Sequence, residues 1–247
     1  MSDTILKTDG LYKFYGSESG RVPVVSDVSL DVPQGRLVAV MGPSGSGKST
    51  MLHMASGLEP PSGGSVHLAG RDLYGLTERD RTLLRRDTIG FVFQFYNLVP
   101  NLTVKENVEL PLLIGARVDQ GGHDFGRLVE DFGLGHVVDR YPHQLSGGEM
   151  QRSSIARALI TRPRIIMADE PTGNISVSAG EEVMRIFRRC CDEYGQTILL
   201  VTHNARDAAF ADEVHFLRDG ELHEEAALEG AGVTPDGIAS SLATLGI

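Results

Sequence analysis

Cysteine is almost absent from this 247-residue chain, Cys190 and Cys191 being the only two. They are adjacent in a stretch that reads as helix, a geometry that opposes a disulfide between them, and such sparse usage fits a reducing compartment with buried thiols. Positive charge is also short: 23 Lys and Arg against 33 Asp and Glu leave a net charge of -10. Nucleic-acid backbones are held by clustered cations, so no nucleic-acid partner is expected. Long apolar runs are missing too. Stretches such as Thr197-Ile198-Leu199-Leu200-Val201 fall far short of the ~20 residues that span a bilayer, and the first residues carry no signal-peptide core. Any membrane contact is therefore expected to come through a partner. The histidines outside the site described below show no metal-ligand spacing.

What the chain does contain is a complete phosphate-loop pattern. Gly42-Pro43-Ser44-Gly45-Ser46-Gly47-Lys48-Ser49-Thr50 fills Gly-x-x-x-x-Gly-Lys-Ser/Thr at every position. The apolar run Leu37-Val38-Ala39-Val40-Met41 ahead of it predicts a buried strand, and Lys48 through Ser56 a helix, so the glycines occupy the turn. Small residues there let successive backbone N–H groups converge on phosphate oxygens while the helix N-terminus adds positive potential. Lys48 reaches the β- and γ-phosphates, and Ser49 can ligate Mg²⁺. The competing reading, a plain Gly-rich helix cap, is opposed by the full match behind a strand.

Val28, Leu30 and Val32 alternate with Ser29 and Asp31 before the turn Pro33-Gln34-Gly35, which predicts half-buried N-terminal strands and hairpins, and Ser65 to Ala69 reads likewise. Ile165-Ile166-Met167-Ala168 and Thr197 to Val201 lack alternation, as parallel strands covered on both faces do. From Thr103 to Gln144 the pattern turns helical. Thr103-Val104-Lys105-Glu106 is a capping-box signature, and Val104, Val108 and Leu112 share a helical face. Pro111 is expected to kink or end that helix, Gly121-Gly122 to form a loop, and a second helix to run near Asp124 to Phe132. Asp219-Gly220 reads as a hairpin, and Ile238, Leu242 and Leu245 as one face of a short tail helix. The fold class is thus α/β, a phosphate-loop NTPase core with a mostly parallel sheet.

Ile165-Ile166-Met167-Ala168-Asp169-Glu170 is a buried strand ending in two carboxylates, the arrangement by which such enzymes hold Mg²⁺ and polarise an attacking water. Asp169 suits the metal and Glu170 the base. In Leu145-Ser146-Gly147-Gly148-Glu149-Met150-Gln151-Arg152 a serine and two glycines open a helix through Ala158, a second anion-binding terminus or, taken alone, a plain N-cap.

These three motifs, in this order and spacing, resemble the ATP-binding-cassette (ABC) ATPase domains of transporters over about residues 4–222. The resemblance implies one such domain over residues 1–247. It would have an N-terminal antiparallel β subdomain, a helical subdomain of about 95–160 inserted in the core, and a tail of about 223–247. It implies ATP and Mg²⁺ as ligands and a head-to-tail pair of copies, each ATP lying between the phosphate loop of one copy and Ser146, Gly147 and Gly148 of the other. Tyr15, in Tyr12-Lys13-Phe14-Tyr15-Gly16, falls where the family stacks an aromatic on adenine, with Tyr12 or no stacker as the alternative. Gln94 matches the glutamine that senses Mg²⁺ and water, and His203 the switch histidine that contacts the γ-phosphate.

The run from Phe91 through Pro100, followed by Leu102 through Pro111, and Pro171-Thr172-Gly173-Asn174 are similar to the branch of macrolide-exporter and lipoprotein-releasing ATPases. That implies a permease on a separate chain and a peripheral place on the cytoplasmic face of a bacterial membrane. Phe95, Tyr96, Leu98 and Val99 are much apolar surface for one loop, so the stretch from Phe91 to Pro100 is expected to dock the permease, the alternative being that these residues pack internally against the helical subdomain. One position departs: where the branch usually carries an aspartate, this chain has Ser176. The alternative function, a soluble ABC ATPase of nucleic-acid repair or translation, fits less well. About 50 residues separate Gln94 from Leu145, too few for a long coiled coil, and there is one cassette rather than two.

Overall fold

The computed structural model describes residues 4–16, 20–114 and 124–247, so the expected loop at Gly121-Gly122 lies outside the described residues. The alternating N-terminal segments form β1 (Thr4–Tyr15) and β2 (Val22–Pro33), paired antiparallel. The chain then enters a second sheet as β3 (Leu37–Met41) and returns as β4 (Gly63–Leu68) and β5 (Arg71–Asp72), which complete a four-stranded antiparallel sheet in the order β2-β1-β4-β5.

β3 is central to the second sheet. With β6 (Ile89–Val92), β7 (Ile165–Asp169), β8 (Thr197–Thr202), β9 (Glu213–Arg218) and β10 (Glu221–Leu222) it makes the order β10-β9-β3-β8-β7-β6, parallel from β9 to β6. β10 and the short β11 (Leu228–Glu229) pair antiparallel with β9, β10 through the hairpin at Asp219-Gly220. The missing alternation has a simple cause. Leu37 and Ala39 of β3, Ile166 of β7 and Leu200 of β8 face one hydrophobic cluster, while Val38, Val40, Ile165 and Leu199 face a second one on the other side. Both faces are dry, so every position is apolar.

Helices α1 (Lys48–Ala55) and α2 (Glu78–Thr88) follow the phosphate loop and precede β6. α3 (Val104–Ile114), α4 (Phe125–Asp131) and α5 (Gly147–Leu159) occupy the expected helical region. α3 starts as its capping box requires: Glu106 Oε2 accepts from the backbone N and hydroxyl of Thr103 at 2.8 and 2.9 Å. Of the two outcomes expected at Pro111, a kink or an end, the helix does not end there but continues to Ile114. Proline forfeits one backbone bond, but packing outweighs that loss, because Val104, Asn107 and Val108 are fully buried and the Asn107 amide donates to the carbonyls of Val99, Leu102 and Thr103.

α6 (Val177–Tyr194) joins β7 to β8 and buries Cys190 and Cys191 as free thiols, each pushed up to about 12 by burial. α7 (Ala205–Ala208) follows β8, and α8 (Pro235–Thr244) is the expected tail helix, with Ile238 and Leu245 buried. No helix among the described residues is long and apolar enough to cross a membrane.

Candidate active site

The sheet delivers the chemistry to one edge, because β3, β7 and β8 are parallel neighbours and their carboxyl ends carry the phosphate loop, Asp169 and His203. The loop's shape depends on glycine at Gly47, where φ is 102° and an added Cβ would lie 2.4 Å from the Val24 carbonyl oxygen. Lys48 is 4% exposed and its Nζ donates to the carbonyls of Gly42 and Pro43, both at 2.9 Å. Burial pulls its pKa down, opposed chiefly by Glu170, whose Oε1 is 3.7 Å from Nζ. Ser46 Oγ is buried in the loop with no hydrogen-bond partner among the described residues, a donor ready for an anion.

Ser49 Oγ donates to Asp169 Oδ1 at 2.9 Å. Burial raises the Asp169 pKa, while the Ser49 hydrogen bond, His53 and Lys48 lower it. The next residue, Glu170, has a left-handed φ of 43° and hands its backbone N–H to Val201 O at 2.9 Å. That turn aims its carboxylate back across the site, where Oε2 lies 3.0 Å from His203 Nδ1. Gln94, just beyond β6, lies against Gly173, where a Cβ would come within 3.2 Å of its Nε2. A cleft of about 370 Å³ is lined by Ser44, Gly45, Gly47, Lys48, Ser49 and Thr50 together with Gln94 and Glu170. Serine hydroxyl, aspartate and glutamine form an oxygen donor set that fits Mg²⁺, and the glycine cradle with the orphaned Ser46 hydroxyl fits phosphate.

Tyr15 stands at the end of β1, 43% exposed, its hydroxyl donating to Glu59 at 2.7 Å. Burial, followed by the hydrogen bond to Glu59, raises its pKa, opposed by the Thr50 side chain. Tyr12, the alternative stacker, instead packs on Phe14. Ser146, Gly147 and Gly148 stand apart from this cleft. Ser146 is the exposed N-cap of α5, its N–H and hydroxyl both donating to Glu149 Oε2 at 2.7 Å, and His136 contacts the same carboxylate.

Sequence reasoning missed two roles. Ser176 N-caps α6, accepting from Ala179 N. Arg157, half-buried on α5, donates to the carbonyls of Asn97 and Tyr96 at 2.5 and 2.8 Å and so grips the segment that follows Gln94. An arginine inside the apolar run Ile155-Ala156-Arg157-Ala158-Leu159 was the available signal. The expected apolar surface also divides: Phe95 and Val99 are exposed, whereas Tyr96 and Leu98 are half-buried, with the Tyr96 hydroxyl donating to Asn174 O.

Residues 25–173 match the family model described as ABC transporter. The lipoprotein-releasing system ATP-binding protein LolD 2 of Caulobacter vibrioides is 45% identical over 223 residues, which cover 90% of this chain and 98% of that protein. The macrolide export ATP-binding/permease protein MacB of Rhodopirellula baltica is 40% identical over 237 residues, 95% of this chain but 35% of the longer relative. Among solved structures, the dimeric MJ0796 cassette, a Methanocaldococcus jannaschii protein, aligns with a TM-score of 0.82 at 37% identity, covering 91% of this chain and 98% of that one. Its post-hydrolysis state bound to ADP and Pi aligns with a TM-score of 0.80 at 36% identity, with the same coverage. With its phosphate loop and paired carboxylates on that shared frame, the chain belongs to the ABC transporter family as one of its ATP-hydrolysing cassettes.

Proposed function

We propose that this cassette is a peripheral subunit on the cytoplasmic face of a bacterial membrane, where it energises a permease carried on a separate chain. Its near end-to-end match to a lipoprotein-releasing ATP-binding protein supports that reading, as does the lack of a spanning helix among the described residues. The working unit is a head-to-tail pair, since Ser146, Gly147 and Gly148 lie outside the cleft of their own chain and suit the γ-phosphate of a partner copy. Residues 1–247 act as one domain, with about 95–160 as a helical insertion and about 223–247 as a tail. Support comes from one shared core that joins Val108 and Leu159 to Ile166, Leu200 and Ile238.

Tyr15 offers its exposed ring to adenine, and the loop from Gly42 to Thr50 cradles the phosphates, with Lys48 turning from the Gly42 and Pro43 carbonyls toward the β- and γ-phosphates. Ser49, Asp169 and Gln94 would hold Mg²⁺, which would supply charge neutralisation on the transferred phosphoryl group. Glu170 takes a proton from water as the water oxygen bonds to the γ-phosphorus and the bond to the ADP oxygen breaks, and His203 holds that carboxylate in line. The observation that carries this reading is the convergence of Lys48 and His203 on Glu170 at the mouth of the phosphate loop. Glu170→Gln should bind ATP but not hydrolyse it, and should run as a dimer in size exclusion with ATP and Mg²⁺. Normal turnover would remove Glu170 from its role.

A further inference from the structure

The loops that carry Glu170 and His203 share a buried anchor. Asp207 on α7 is 3% exposed, and its carboxylate accepts from the Thr172 hydroxyl, from Thr202 Oγ1 at 3.4 Å and from Asn204 Nδ2 at 3.2 Å. Thr172 lies two residues after Glu170, and Thr202 and Asn204 flank His203. We propose that Asp207 is a positioning residue for hydrolysis: from below the site it clasps the loop after β7 to the loop after β8 and so fixes the approach of Glu170 to His203.

The visible contact cannot hold that geometry unaided. The Glu170–His203 contact spans 3.0 Å, but the His203 side chain is 50% exposed, and a polar contact open to water contributes little to a fixed arrangement. Asp207 has what the pair lacks. It is dry, its oxygens are used by donors from both loops, and the segments it grips are short and internally tied. Gly173 N donates to Glu170 O at 3.1 Å, Ile175 N to Thr172 O at 3.3 Å, and Asn204 N to Thr202 Oγ1 at 3.0 Å. A shift of the clasp is therefore passed to both reacting side chains. Burial raises the Asp207 pKa, opposed by the hydrogen bonds from Thr172 and Thr202 and by His203, so a carboxyl is kept in an apolar setting by these contacts rather than by water.

This inference rests on the roles proposed for Glu170 and His203, and its test separates the two. Thr172→Val removes the cross-loop hydroxyl and keeps the side-chain shape, so kcat should fall about 10-fold with KM for ATP held within about 2-fold, as misalignment without lost binding requires. Asp207→Asn should lower kcat likewise, because its NH₂ must face either the Asn204 amide or the Thr172 and Thr202 hydroxyls that now donate to the carboxylate. Adding Asn204→Asp reverses the polarity of the Asn204–Asp207 pair and should restore most of the rate. In a Glu170→Gln background, binding of a fluorescent ATP analogue should be unchanged by Thr172→Val. A wild-type kcat for folded Thr172→Val would overturn the role of Asp207, as would a fall matched by weaker analogue binding. Thr172→Val decides the matter even if Asp207→Asn does not fold. Normal turnover by Glu170→Gln alone would instead remove the site reading and the clasp with it.

Discussion

Arg157→Ala should cripple the Gln94 segment without touching the nucleotide. Tyr96 and Asn97 hold left-handed φ values of 61° and 49°, and the carbonyls of these two residues are the ones that Arg157 grips. Strain at two such residues costs about 2 kcal/mol. Two hydrogen bonds from a guanidinium return about 3 kcal/mol, so the arginine outweighs the strain. Without it the native turn is uphill by about 2 kcal/mol, which leaves it in about one molecule in 30. The Tyr96 hydroxyl on Asn174 O and the Asn174 amide on Gln94 O, each at 3.0 Å, remove part of that penalty. The expected loss in kcat is therefore about 10- to 30-fold. Because Gln94 is a proposed Mg²⁺ ligand, the Mg²⁺ concentration for half-maximal ATPase should rise as well. ATPase titrated with Mg²⁺ at saturating ATP reads both effects, and Arg157→Lys, a single point charge, should fall in between. A wild-type rate and Mg²⁺ response in folded Arg157→Ala would refute the reasoning.

Mixing Lys48→Ala with Ser146→Arg should recover nucleotide trapping that neither variant shows alone, since one composite site survives in the mixed pair; no recovery from two folded proteins counts against shared sites. Ser176→Asp should fold normally, because aspartate and serine are equally good N-caps for α6, and should raise basal ATPase about 3-fold by restoring under about 1 kcal/mol of alignment across the pair. An unchanged or lower rate would show that the serine is not a brake. Phe95 and Ile114 are 70% and 71% exposed, a large apolar area for a permease to cover. Glutamate at either position should weaken copurification with the permease and spare basal ATPase, and unchanged copurification would move the docking surface elsewhere.

Local chemistry was legible in the chain and distant pairing was not. The phosphate loop, the strand ending in Asp169 and the capping box at Thr103 are short-range patterns, each set by a few neighbouring residues. Arg157 and Asp207 are different. Their partners lie 60 and 35 residues away, at Asn97 and Thr172, so only the sheet order brings them together. That α3 continues past Pro111 has a related reason: the Asn107 side chain, whose partners the local pattern does not show, pins the helix from inside. The exposed apolar run was half right, because the Tyr96 hydroxyl finds a partner in the loop after Glu170.

The strand order also divides the site mechanically. β3, β7 and β8 each have a neighbour on both sides, so the phosphate loop, Asp169 and His203 are set in stiff backbone. Gln94 hangs from β6, the outermost strand of its side, which among the described residues pairs only with β7. Force arriving from α5 through Arg157 can displace the Gln94 segment by bending one margin, without tearing a hydrogen-bonded ladder. On the role proposed for Gln94, the nucleotide pocket is an anvil with one movable jaw, and a pull on that jaw would change cleavage while ATP stays bound.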